Sequence, residues 1–359
     1  MIHKESKCLQ VGVLGCGPIA QFAHFESCRK ARNAELYAIC DRADDLRERM
    51  EAVWQPQKAY SGYDEMLADP RLEAVIIATA DAFHVPLALK AVQAGKHVLI
   101  EKPLSHSLDE CRELTGAARS TGLVVRVAHN KRFDPGIQFA RDFVNRRMGD
   151  MLALKAWYAD STHRYTVTDN VQPLPYKSTG AIKPGFDEKA DKERYYMMAH
   201  GSHLLDTAMF LGGRIGSLKA RLKEGFGACC WMIEVDFESG ALGQLDLTVA
   251  VRMDWHEGFQ IYGEKGSVLA KTYNPWYHKS SDVECFSEED GQYHRPLGAD
   301  GFTYRRQVEG FADEILHGAP GTGTGLDEGT HIVRGMLAIR ESVRSGKTVH
   351  LDQLKLEEF

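Results

Sequence analysis

The stretch Leu9-Gln10-Val11-Gly12-Val13-Leu14-Gly15-Cys16-Gly17-Pro18-Ile19-Ala20 constrains this chain more than any other, because an apolar run breaks at a Gly-x-Gly-x-x-Ala turn and continues in a helical pattern. A strand that enters a helix through such a turn builds a phosphate cradle. Gly15 permits the tight turn, Gly17 lets a pyrophosphate approach the backbone, and Ala20 lets helix and strand pack closely, with Pro18 and Ile19 completing the loop. The phosphates would sit at the helix N-terminus, facing unpartnered N–H groups and the positive end of the dipole. The run from Ala34 to Cys40 reads as a second buried strand. Asp41 at its end stands about twenty residues past Ala20, where a ribose-binding carboxylate is expected. A carboxylate accepts from both ribose hydroxyls and repels a 2′-phosphate, so NAD is expected over NADP, although the adjacent Arg42 would attract that phosphate.

At 359 residues, 43% of them hydrophobic, the chain exceeds what one core usually holds. Two domains are expected, a nucleotide-binding one over residues 1–128 and a substrate-binding and oligomerisation one over 129–359. The net charge of −6 is mild, and no basic run offers a grip to nucleic acid or an anionic membrane. Eight cysteines fall singly or as the pair Cys229 and Cys230, without metal-ligand spacing. They read as reduced, buried thiols, and no metal is expected. The short segment Met1 to Cys8 before the first strand and the lack of a spanning apolar run make the cytoplasm the expected compartment.

Further along, Ala43 to Val53 is helical in pattern and Glu73 to Thr79 is a buried strand. Phe83 to Ala94 is a helix closed by Gly95, and His97 to Ile100 is another strand. Ser107 reads as the N-cap of a helix over Leu108 to Ser120, and Leu123 to Ala128 as a further strand. This alternation predicts a doubly wound parallel sheet. Beyond Asp150 the texture changes. Strand patterns at Leu152 to Tyr158, Leu218 to Lys223, Met232 to Phe237, Ala241 to Val251 and Gly258 to Tyr262 predict a mostly antiparallel open sheet, hence an α/β chain of two unlike halves. An apolar free face on that sheet would predict self-association. Thr162 to Lys192 fits neither template and reads as a loop over the substrate site, and Tyr304 to Leu316 and Asp327 to Ser345 read as helices.

The chemistry begins at Glu101-Lys102-Pro103, directly after the His97 to Ile100 strand and so at the carboxyl edge of the parallel sheet, where α/β ligand sites occur. A lysine there would face the cofactor. Its ammonium suits the oxygen of a carbinol, sharing in removal of the hydroxyl proton and stabilising developing alkoxide.

Gly15 to Ala20, Asp41, Ala94-Gly95-Lys96-His97-Val98-Leu99-Ile100-Glu101-Lys102-Pro103-Leu104 and Gly201-Ser202-His203-Leu204-Leu205-Asp206 together resemble the glucose–fructose oxidoreductase/inositol dehydrogenase (Gfo/Idh/MocA) family. The resemblance implies a Rossmann domain, an α/β domain with a large open sheet, NAD(P) chemistry on sugars or cyclitols, and dimers or tetramers. It implies that Lys102 is the catalytic lysine and that His203 contacts the reacting hydroxyl and shuttles its proton, with Asp206 completing a His-x-x-Asp helix motif. Helical spacing puts 203 and 206 on one face, so the carboxylate would orient the imidazole or the helix. The family often carries an acid four residues before this histidine. Here that position is Ala199, beside His200. Either His200 joins the proton relay, or the polar network is simplified, or the reaction is not an ordinary alcohol oxidation, or His200 is only an N-cap neighbour satisfied by backbone.

The resemblance also places His84, after Thr79-Ala80-Asp81, beside the nicotinamide ribose, and makes Thr79, Glu101 and Lys102 cofactor contacts. Arg132, after Asn130 and Lys131, matches an arginine kept near the site, and reads equally as a strand-end salt bridge. Trp157, Tyr158, His163, Arg164 and Tyr165 suit a carbohydrate, with Trp157 and Arg164 the expected contacts, or else a sheet-edge core. The resulting expectation is an NAD-dependent dehydrogenase acting on a small carbohydrate or cyclitol. Two alternatives stand beside it: a glycosidase that oxidises, eliminates and re-reduces with NAD retained, and a non-catalytic NAD-binding regulator.

Overall fold

Continuous apolar strands alternating with amphipathic helices produce the first sheet. In the computed structural model, which describes residues 4–5, 7–163, 170, 172–185, 189–298 and 300–359, six parallel strands pair in the order β3-β2-β1-β4-β5-β6. These are β1 (Leu9–Leu14), β2 (Ala34–Cys40), β3 (Lys58–Tyr60), β4 (Ala74–Ile77), β5 (His97–Ile100) and β6 (Val125–Val127). Both faces are covered, so Val11, Val13, Ile39, Ile76 and Leu99 are all buried. The strand order reverses between β1 and β4, which opens a crevice at their carboxyl ends. The short edge strand β3 is an addition to the strands read from sequence.

Helices over Asp44–Trp54, His84–Gln93 and Leu108–Arg119 agree with the sequence patterns to within a residue or so. Ser107 occupies the N-cap of the last of these without a side-chain cap bond, so its hydroxyl does not do the capping that the sequence suggests. Gly95 has φ +73° after the His84–Gln93 helix, as a helix-closing glycine should. The helix Thr303–His317 belongs from Tyr304 onward to the same compact unit. There Val308, Phe311 and Ala312 join the core of Leu9, Val11 and Ile39. The described residues up to Asn130, together with 172–185 less residue 172 and with Tyr304–Thr330, make up this first unit.

The second unit is built on nine strands in the order β14-β13-β12-β11-β7-β10-β9-β8-β15. They are β7 (Met151–Ser161), β8 (Ile215–Gly225), β9 (Ala228–Phe237), β10 (Leu242–Val251), β11 (His256–Gly263), β12 (Gly266–Thr272), β13 (Asp282–Ser287), β14 (Gln292–His294) and β15 (Val349–His350). Among the described residues of this sheet, only the β7–β10 pair is parallel. The last four strands extend the sheet beyond the five read from sequence. Along β7 the residues Leu154, Ala156, Tyr158 and Asp160 are buried and alternate with more exposed ones, the period of two that separates the faces of a sheet. Helices Lys192–Tyr196 and Ser202–Gly212 are joined by a π-helical turn, Met197–Gly201. All eight cysteines are free, six of them buried. Among the described residues, no helix is long and apolar enough to cross a membrane.

Candidate active site

A cavity of about 630 Å³ lies at the crevice of the first unit, and every residue of the Gly-rich loop expected to hold phosphate lines it: Gly15, Gly17, Pro18 and Ile19. Gly15 has φ +94°, and a Cβ there would stand 2.6 Å from the Ala78 carbonyl oxygen, so only glycine makes this turn. A Cβ on Gly17 would meet no protein atom within 4 Å, which leaves that stretch of backbone open to a ligand. The chain is helical from residue 18, first with a π-helical turn at Ala20–His24 and then over Phe25–Lys30. First-turn N–H groups of a helix have no intrahelical partner, so the loop presents donors where a pyrophosphate would lie.

Asp41 and Arg42 stand on the same wall, as does Thr79. The Cys16 N–H donates to Asp41 Oδ2 at 2.8 Å and the Ala43 N–H to Oδ1 at 2.9 Å. Each oxygen therefore keeps a lone pair for a ribose hydroxyl. Leu46, Tyr63, Phe83 and Leu87 give the cavity an apolar side suited to a base. These residues fit a nicotinamide dinucleotide. Replacing Asp41 by alanine should weaken NAD by about 10–100-fold, the worth of charge-assisted hydrogen bonds, and narrow the gap to NADP. Titration of intrinsic fluorescence with each nucleotide checks this, and an unchanged NAD affinity would deny Asp41 the ribose.

The segment read as a loop over the substrate site lies against the nucleotide cavity in its described part. Residues 172–185 hold no helix or strand, and two reciprocal bonds of 2.9 Å tie Gln21 to the main chain of Tyr176. Ser178 donates to Asp45, and Ala181 and Ile182 line the nucleotide cavity. The loop thus covers the nucleotide side. At its far end Lys192 is already helical, with Asp191 capping by accepting from the Arg194 N–H.

His84 and Glu101, expected to touch cofactor, are not among the residues lining this cavity. His84 is fully buried, with Nδ1 2.8 Å from the Pro103 carbonyl and Nε2 3.2 Å from the Thr79 carbonyl, so it ties two turns at the sheet edge. Glu101 is buried and paired with His24, Nε2 to Oε1 2.8 Å, while its other oxygen accepts the Lys102 N–H at 3.1 Å. Burial alone would raise the Glu101 carboxyl. The His24 hydrogen bond and the charges of His24 and Lys102 outweigh it and hold the group below the usual carboxylate range. Lys102 itself is half-buried beside a cis peptide to Pro103 and also lies outside the wall of the nucleotide cavity. Burial opposes ionisation of nearby Asp81, but its contact with His106 and the charge of Lys102 hold it low. His24 is absent from the sequence reading.

In the second unit, His203 is half-buried and lies parallel to the Tyr158 ring, centroids 6.1 Å apart and planes 6° apart. His200, in the π-helical turn, has Nε2 3.4 Å from Asp160 Oδ2 and Nδ1 3.3 Å from the Tyr158 hydroxyl. Both of these partners are side chains, and a carboxylate reaches it from β7 although position 199 is alanine. Neither Asp160 nor the Tyr158 contact was singled out from sequence. Lys131 sits 4.3 Å from the centre of the Tyr158 ring and pairs with Glu257, the cross-strand neighbour of Tyr158. Burial pushes Lys131 down and Glu257 up, opposing the attraction between them.

Two expected substrate contacts turn out to be partners of each other. Arg132 Nε donates to Asp206 Oδ1 at 2.8 Å, and both side chains are buried. Trp157 lies on β7. It follows the opposite parity to Tyr158 on β7 and stacks on His256, centroids 5.6 Å apart, so its ring is committed away from the Tyr158–His203 contact. His163 is exposed, and Arg164 and Tyr165 lie outside the described residues.

A sequence model described as an oxidoreductase family with an NAD-binding Rossmann fold matches residues 9–129, and one for its C-terminal alpha/beta domain matches 195–351. Myo-inositol 2-dehydrogenase of Thermotoga maritima is 25% identical over 96% of this chain and 99% of its own length. The 1,5-anhydro-D-fructose reductase of Ensifer adhaerens is 25% identical over 82% of this chain and 84% of its own. A solved structure of levoglucosan dehydrogenase in complex with NADH matches with a TM-score of 0.78 at 19% identity, over 97% of this chain and all of that one. At that identity the likeness speaks for the fold.

Proposed function

Because this chain belongs to the Gfo/Idh/MocA family of NAD-binding oxidoreductases, we propose that it moves hydride between NAD and a secondary hydroxyl of a sugar, sugar acid or cyclitol. When bound, the nicotinamide cofactor supplies the hydride acceptor. The observation that carries the reading is the position of Lys102, immediately after β5 at the same carboxyl edge where the ends of β1, β2 and β4 line the nucleotide cavity. In this reading Lys102 polarises the reacting oxygen, and His203 is the acid/base partner that takes its proton. His200, beside Asp160, and Tyr158 back His203, and Arg132 and Asp206 hold its helix. Relatives named for an inositol and an anhydro-sugar support the substrate class. Homo-oligomerisation through the nine-stranded sheet belongs to the same proposal, supported by exposed Leu152, Met232, Leu242 and Leu269 on its strands.

The test is absorbance of reduced nicotinamide while the protein meets NAD or NADP with monosaccharides, sugar acids, cyclitols and aryl glycosides. One NADH per product, with NAD preferred, is the expected result. Aglycone release without net NADH would replace the dehydrogenase by a redox-cycling glycosidase, and NAD binding without turnover of any of these would favour a regulator.

A further inference from the structure

We propose that His24 is a positioning residue for Lys102, acting through Glu101, so that the helix rising from the phosphate loop also sets the turn that carries the lysine. The proposal rests on the reading of Lys102 as the group that meets the substrate oxygen. The geometry behind it lies wholly within the first unit. His24 ends the π-helical turn Ala20–His24, seven residues past Gly17, and has no exposed surface. A π-helical turn inside a helix is uncommon and recurs at functional sites. Its Nε2 lies 2.8 Å from Glu101 Oε1. Since Glu101 is an anion that can only accept there, the hydrogen must be on Nε2. The second carboxylate oxygen accepts the main-chain N–H of Lys102 at 3.1 Å. One buried carboxylate thus ties an imidazole on the nucleotide helix to the peptide that begins the lysine turn.

The energetics favour a fixed geometry. A charge-assisted bond inside a protein is strong and directional, and a carboxylate 5% exposed has no water to fall back on if one partner leaves. The Tyr304 ring, 6.1 Å from His24 between centroids and nearly perpendicular to it, packs against the imidazole. Without His24, Glu101 is left charged and underpartnered. It must then protonate or turn, and either change alters what Lys102 N–H is bonded to. Misplacement of a catalytic group by about 1 Å costs on the order of a hundredfold in rate. Binding of NAD depends instead on the cavity wall, to which neither His24 nor Glu101 belongs.

The variants are His24→Leu, His24→Gln and Glu101→Gln, each read in two ways. The first is the rate at which the Lys102 amine is acetylated by acetic anhydride across pH, followed by mass spectrometry, which needs no substrate. The second is kcat with whatever sugar the enzyme turns over, beside the NAD dissociation constant. His24→Leu and Glu101→Gln should each shift the Lys102 acetylation profile and lower kcat by at least about tenfold, with NAD affinity within about threefold of wild type. His24→Gln, which keeps a donor, should recover part of both losses, and it carries the test if His24→Leu fails to fold. An acetylation profile and kcat unmoved in a folded His24 variant overturn the proposal. If no sugar is turned over at all, the functional reading fails, while the acetylation profile still decides whether His24 and Glu101 govern Lys102.

Discussion

Replacing Lys102 by alanine is expected to lower kcat by about 10²–10⁴-fold, the usual worth of a positioned acid or base, while NAD binds with unchanged affinity. The separation follows from position. In the proposed reading Lys102, at the carboxyl edge of the parallel sheet but outside the wall of the nucleotide cavity, meets the reacting oxygen, so its loss would remove that interaction and none that holds the adenosine or pyrophosphate. Lys102→Arg separates two ways in which a lysine helps. Arginine keeps the positive charge but does not give up its proton near neutral pH, and its planar fork occupies different space. If the lysine acts only as a fixed charge, the arginine variant should retain a substantial part of kcat. If it exchanges a proton, arginine should be nearly as slow as alanine. Steady-state rates beside a fluorescence titration with NAD supply both numbers. An alanine variant with wild-type kcat would remove Lys102 from the chemistry.

What could be read from sequence and what could not divide along physical lines. Strands β1, β4 and β5 are covered on both faces and so appear as near-continuous apolar runs, and the glycine turn follows β1 at a fixed offset. Strand β3 has three residues at the sheet edge and leaves too short a pattern to stand out. In β12 buried Val268 and Ala270 alternate with Leu269 and Lys271, and in β13 buried Val283 and Cys285 alternate with Asp282, Glu284 and Phe286, a weaker signal than a continuous run. Trp157 and Tyr158 show a different limit. Alternation says that neighbours on a strand point to opposite faces, but one strand alone does not say which face meets His203. The pairs His24–Glu101 and His200–Asp160 join residues far apart in the chain, and nothing local marks the partner. Yet a signal was present. His24 stands in Ala-Gln-Phe-Ala-His-Phe and Asp206 in Leu-Leu-Asp-Thr-Ala-Met-Phe-Leu, and a polar group in so apolar a helix needs a polar partner from elsewhere.

Asp206→Ala should destabilise the second unit by about 3–5 kcal/mol, the cost of breaking a buried ion pair by removing one partner. Arg132 and Asp206 are both buried, and the guanidinium also lies 4.9 Å from the Phe210 ring, one turn further along the helix that carries Asp206. Removing the carboxylate breaks the ion pair of a buried cation packed against that ring. Removing both charges is a milder change, because a buried pair gives back in attraction only what desolvation took. Arg132→Met with Asp206→Leu should therefore recover most of the loss, a coupling that single variants cannot show. An exposed pair such as Lys90 with Asp64, 2.9 Å apart, should behave otherwise and cost less than about 1 kcal/mol on loss of either partner. Four of the five tryptophans, at 157, 231, 255 and 276, belong to the second unit, so urea unfolding followed by tryptophan emission reports mainly on it. The result also decides between two roles for Asp206. A substrate ligand replaced by asparagine would raise KM at nearly unchanged stability. Loss of a structural anion lowers the urea midpoint whether substrate is present or not, and in the proposed reading it harms catalysis only through the placement of His203 on the same helix.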